Sequence, residues 1–129
     1  MKSIQVTFIL IASFFLSCQG QEVKSVKLDP NNFETKLNST KEKVLIDVRT
    51  AGEYAEGHLA NAVLINFFSD DFKTQAAKLD KAKPVFVYCG TGKRSGNASK
   101  KFIEMGFKQV YDLDGGINAW SDANKKIVK

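Results

Sequence analysis

The sequence predicts an α/β domain in which a mostly parallel sheet is covered on both faces by helices, with the reactive end at the carboxyl termini of the strands. Three observations carry this. Short apolar runs alternate in order with capped amphipathic segments, as strands separated by helices do. One such run, Pro84-Val85-Phe86-Val87-Tyr88, leads directly into a glycine-rich basic loop, Cys89-Gly90-Thr91-Gly92-Lys93-Arg94-Ser95, with a helical pattern behind it. The chain has 129 residues, 43% of them hydrophobic, which is enough for one compact domain and too short for two.

The amino-terminal segment is set apart before the elements are read. Lys2, the apolar stretch Ile4 to Leu16, then Ser17 and Cys18 have the order of an export signal. Roughly 13 apolar-dominated residues fall short of the ~20 that span a bilayer. Phe15-Leu16-Ser17-Cys18 resembles a bacterial lipoprotein signal. That resemblance implies a signal peptide over residues 1–17, lipid on Cys18, a tether over 18–24 and a domain over 25–129. The domain would then be exported, periplasmic or in the cell envelope, and lipid-anchored to a bacterial membrane. With Cys18 lipidated, Cys89 would be the only free thiol and no intramolecular disulfide could form.

Within the domain, Asp29-Pro30 is an N-cap and N1 proline opening a helix over Asn31 to Leu37, with Phe33 and Leu37 on one face. Val44 to Ile46 is a buried strand ending at Asp47. Thr50 caps a helix carrying Glu53 and Tyr54, closed by Gly57. Ala62 to Asn66 reads as a further strand. Ser69 or Asp70 caps a helix in which Phe72, Ala76 and Leu79 follow the spacing of an inward face. After the loop, the residues beyond Ser95 form a helix striped by Ala98, Phe102 and Met105 and stopped by Gly106. Val110 to Leu113 is a last strand, Asp114-Gly115-Gly116 a turn, and Ile117 to Ala123 a short final helix. Trp120 and the phenylalanines are read mainly as core.

Cys89 has two readings. A lone cysteine after a buried strand is commonly inert core. Two glycines, a lysine and an arginine within five residues are not what a core cysteine needs. They let backbone amides curl inward and supply charge for an anionic substrate. The amides, the helix N-terminus and the two cations should depress the thiol pKa, leaving a thiolate nucleophile near neutral pH. Nineteen Lys and Arg against fourteen Asp and Glu give a net charge of +5 without a long basic cluster. This favours small anionic substrates and not nucleic acid. One histidine and one free cysteine do not make a metal site, and no cofactor is expected.

Leu45-Ile46-Asp47-Val48-Arg49, then Glu53-Tyr54 and Gly57-His58-Leu59 with Ala62, resemble the first signature of the rhodanese superfamily. Leu113-Asp114-Gly115-Gly116 with Trp120 resembles its carboxyl-terminal signature, and the Cys89 loop lies between the two. The resemblance implies a three-layer fold on a five-stranded, mostly parallel sheet. It also implies a monomeric, single-domain sulfurtransferase whose cysteine carries a persulfide between a small anionic donor such as thiosulfate and a thiol or cyanide acceptor. The four residues between Cys89 and Arg94 match the shorter loop of rhodaneses; related phosphatases have one more. A persulfide carrier or partner-docking module that turns over poorly alone is the alternative, and a phosphatase-like anion binder a weaker one.

The charged residues divide by expected role. Gly90, Thr91, Gly92 and Ser95 form the nest around the sulfur, and Lys93 is placed to attract the donor. Arg94 either contacts the donor or, as preferred here, turns inward to pair with Glu53 and hold the loop's shape. Asp47 and Arg49, at a strand end, are read as structural support. His58 is read as turn scaffolding, because exchange at a low-pKa thiol needs no general base.

Overall fold

A computed structural model of the chain describes residue 20 and residues 22–129. The expected signal over residues 1–17, the lipidated Cys18 and residues 19 and 21 of the 18–24 tether lie outside the described residues. Among the described residues no helix is long and apolar enough to cross a membrane.

The elements run β1 (Val26–Leu28), α1 (Pro30–Ser39), β2 (Val44–Asp47), α2 (Ala51–Glu56), β3 (Val63–Leu64), α3 (Phe72–Ala77), β4 (Val85–Tyr88), α4 (Lys93–Glu104), β5 (Val110–Leu113) and α5 (Gly116–Asp122). The five strands form one sheet in the order β1-β5-β4-β2-β3, and every pairing is parallel. Two apolar layers sandwich it. On one face Ile46, Val85, Val87 and Val110 meet Phe72 and Ala76 of α3 and Ala98 and Phe102 of α4. On the other, Leu45, Phe86 and Leu113 meet Phe33 of α1 and Ile117 and Trp120 of α5. The continuous apolar runs are those of strands buried on both faces. The parallel direction brings the carboxyl ends of β2 and β4 side by side, so Asp47 stands opposite Tyr88 in register, one residue before Cys89.

Several boundaries differ from those the sequence predicts. β3 keeps only Val63 and Leu64 on the ladder, although the amides of Ile65 and Phe67 still reach Asp47 O and Val48 O at 2.9 and 3.0 Å. α3 is preceded by Asp71, not Ser69 or Asp70, because the Ser69 hydroxyl is spent on the Asp71 carboxylate. α4 starts at Lys93 instead of after Ser95: Gly92, at φ +109°, turns the chain sharply enough that Lys93, Arg94 and Ser95 already form the first helical turn. Phe68 is 69% exposed and is no part of the core.

Candidate active site

Cys89 sits where β4 ends and the chain bends toward α4. It is 1% exposed, so its sulfur is recessed beneath the loop. Burial alone fits an inert cysteine equally well; the polar contacts do not. The Gly92 amide donates to Sγ at 3.0 Å, and the buried Ser95 places its Oγ 3.4 Å from the sulfur. Burial pushes the thiol up, but hydrogen bonds from the Ser95 hydroxyl and the Ser95, Gly92 and Thr91 amides outweigh it, so Cys89 titrates below its ordinary value. These amides are free because the first turn of a helix has no internal partners for its N–H groups, and no side chain caps α4. The two adjacent cations, expected to share in the depression, are a lesser influence: Arg94 faces Glu53 first and senses the Cys89 charge more weakly.

The loop is clamped from the opposite side by α5. Ile117 N donates to Cys89 O at 2.8 Å and Asn118 N to Gly90 O at 3.1 Å, which turns these two carbonyls away from the sulfur. The clamp works only because Gly116, at φ +61°, presses against the loop backbone with no side chain between them.

Arg94 turns back onto Glu53 as a fork, with Nη1 to Oε1 at 2.7 Å and Nη2 to Oε2 at 2.9 Å. Glu53 is itself fixed by a reciprocal cap: its amide donates to Thr50 Oγ1 while its Oε1 accepts from the Thr50 amide, each at 3.3 Å. The guanidinium holds Glu53 down to about 2. Behind α2, Arg49 donates to both Asp47 carboxylate oxygens and to Gly57 O at 2.7 Å, and the buried pair closes the turn after the helix. Asp47, Arg49, Glu53 and Arg94 thus form a bracket running from the end of β2 to the loop. His58 stacks on Tyr54 at 3.7 Å with Nδ1 3.0 Å from Tyr54 O, and its backbone pairs with Val128. Lys93 is exposed and, among the described residues, makes no ion pair, so it is the loop cation left for a ligand.

A cavity of about 440 Å³ opens beside the loop, lined by Gly90, Thr91, Arg94, Glu53, Asn118 and Ile127 among others. A second, of about 320 Å³, lies between α1 and Trp120; the recessed Cys89 lines neither, and the first is the one formed by its loop. Sequence reasoning missed two residues here: Gly116, and Asp112 of β5, whose buried carboxyl lies under α4. A charge inside the buried run Val110 to Leu113 was the visible signal for the second.

The Arg94–Glu53 fork predicts a specific coupling. The two side chains are 22% and 36% exposed, between the surface and the buried case. Glu53→Gln and Arg94→Met are each expected to cost about 1–2 kcal/mol. The double variant should lose less than the sum in chemical denaturation; strict additivity would mean the fork contributes nothing. Because Glu53 is depressed, this contribution is complete above the ordinary carboxylate range and disappears only as pH falls through about 2. The bracket should therefore hold at pH 4.

Comparison with known proteins bears on the chemistry of this site. The rhodanese-like domain family matches residues 29–123. The chain is 41% identical over 88 residues to the thiosulfate sulfurtransferase GlpE of Coxiella burnetii, covering 64% of this chain and 80% of that protein. It is 32% identical over 88 residues to the protein of the same name from Shewanella oneidensis, covering 68% and 85%. It superimposes on a rhodanese-like domain protein from Staphylococcus aureus with a TM-score of 0.67 at 27% identity, covering 81% of this chain and 99% of the other. A rhodanese-related protein from Thermoplasma volcanium gives a TM-score of 0.70 over 80% and 97% of the two chains; at 22% identity that likeness concerns the fold alone.

Proposed function

The chain belongs to the rhodanese-like family, and from that premise we propose that it is a sulfurtransferase-like enzyme moving sulfane sulfur from an anionic donor such as thiosulfate to a thiol or cyanide. The Cys89 thiolate attacks the outer sulfur of thiosulfate. The Sγ–S bond forms as the thiosulfate S–S bond breaks, and its electron pair leaves with sulfite. The persulfide's terminal sulfur carries negative charge and takes the place the Thr91, Gly92 and Ser95 amides are turned toward. Cyanide or an acceptor thiolate then attacks that outer sulfur and returns Cys89 as thiolate. The convergence of the Gly92 amide and the Ser95 hydroxyl on one sulfur atom carries this reading. No general base is required in this scheme, since the hydrogen bonds on Sγ favour the thiolate that attacks.

One feature supports a second reading, that of a persulfide carrier serving a partner. Arg94 is committed to Glu53, which among the described residues leaves Lys93 as the loop cation without an ion pair for a doubly charged donor. Steady-state thiocyanate production from thiosulfate and cyanide, run beside mass analysis of the Cys89 peptide, separates the two. Turnover supports the enzyme, and a stable 32 Da adduct without turnover supports the carrier. Neither would remove sulfur transfer from the account. The cellular place proposed is the bacterial envelope, with the monomeric domain anchored through lipid on Cys18. Fatty-acid labelling that Cys18→Ser leaves unchanged would exclude that anchor.

A further inference from the structure

We propose that Asp112 is a positioning residue for Cys89: from beneath the first turn of α4 it governs, through the Ser95 hydroxyl, whether the sulfur receives a hydrogen bond.

Asp112 lies in β5 between Val87 of β4 and Lys27 of β1. It is 1% exposed, and its Oδ1 is the buried side-chain polar atom left without a hydrogen-bond partner among the described residues. An unpartnered buried carboxyl oxygen is costly, so its retention calls for a reason. The other oxygen lies under α4, where a Cβ added to Gly96 would stand 3.9 Å from Oδ2. The residue before Gly96 is Ser95, fully buried, with Oγ 3.4 Å from Cys89 Sγ and donating to Gly92 O at 3.2 Å.

Ser95 has one proton and three groups that could accept it: the Gly92 carbonyl, the Cys89 thiolate and the Asp112 carboxylate. An ionised Asp112 is a strong acceptor and draws the proton away from the sulfur. A protonated Asp112 stops competing and can itself donate toward Ser95, which leaves the Ser95 proton free for the thiolate. The change falls in a useful range, because burial raises Asp112 to about 6. Ser95 and Lys27 of β1 favour its ionised form, and Asp114 at the end of β5 opposes it; α4 meets it with the neutral Ser95 and Gly96. Cys89, reached through Ser95, completes the set.

The inference rests on Cys89 being the nucleophile of the proposed reaction. Iodoacetamide alkylation reads the thiolate without sulfur transfer, so a failed coupling and a failed sulfurtransferase reading remain distinct. The full chain is alkylated between pH 4.5 and 9 and the rate followed on the Cys89 peptide. The native protein should show two inflections, the lower near 6. Asp112→Asn should show one, with a thiolate fraction roughly three- to tenfold larger than in the native protein between about pH 6 and that inflection, where the native Asp112 is ionised, and the same as native below about pH 6; that is the fold-change one net hydrogen bond supplies. In a Ser95→Ala background the same substitution should change little. An Asp112→Asn profile superimposable on the native one would overturn the proposal, as would an effect that persists without Ser95. A merely structural aspartate would alter melting and leave the profile alone. Should Asp112→Asn not fold, carboxyl NMR titration of the native chain decides. A midpoint that moves when Cys89 is alkylated supports the coupling, and an unmoved midpoint overturns it.

Discussion

Cys89→Ser is expected to reduce sulfur transfer by on the order of 10⁴-fold or more while the domain melts close to the native temperature. An alcohol at this position stays protonated at any working pH, because contacts that pull a thiol below its ordinary range fall far short of ionising a hydroxyl. The volume change is small, and the oxygen can still accept from Gly92 and meet Ser95, so nothing in the packing is lost. The native enzyme supplies the complementary result. In the proposed mechanism the thiolate is the reactive form and its pKa is depressed, so the rate constant should rise with pH through a midpoint below the ordinary thiol value. Sulfite release after mixing with thiosulfate measures both. Transfer by the serine variant within tenfold of native would remove Cys89 from the mechanism.

Gly116→Ala should be nearly as damaging to activity and far worse for stability. Its new Cβ would stand 2.4 Å from Gly90 O and 2.5 Å from Cys89 O. Both are backbone atoms with no rotamer to escape into, and their carbonyls are already held by Ile117 N and Asn118 N. Either the clamp opens or the loop shifts, and in both cases the amides leave the sulfur. Overpacking typically costs about 1–3 kcal/mol and a left-handed alanine about 1–2 more, so a loss of roughly 3–5 kcal/mol is expected. Gly52→Ala is the matched control. It lies in α2 with nothing within 4 Å of a new Cβ, and should be neutral or stabilising by about 0.5–1 kcal/mol. Equal melting temperatures for the two variants would show that the contact between α5 and the loop does not constrain the site.

These cases mark how far the sequence reaches. The strand delivering Cys89, the Thr50 cap with Glu53 three residues on, and the phenylalanine stripes were all legible, because local spacing and local hydrogen bonding decide them. The preferred inward turn of Arg94 was legible too, since a fork and a carboxylate suit each other wherever the fold brings them together. The exposure of Phe68 and the early start of α4 were not, because both depend on where a neighbouring segment leaves room or a glycine bends the backbone.

By itself, then, the sequence determined the order and kind of the elements and the glycine-rich basic loop that places Cys89 after β4, each written in residues a few positions apart. Only the tertiary structure decided that α5 clamps that loop through Gly116, and that a carboxyl from β5 lies beneath α4 at Gly96. Those contacts join segments more than fifteen residues apart, where the parallel sheet sets the distances and the spacing along the chain carries no record of them.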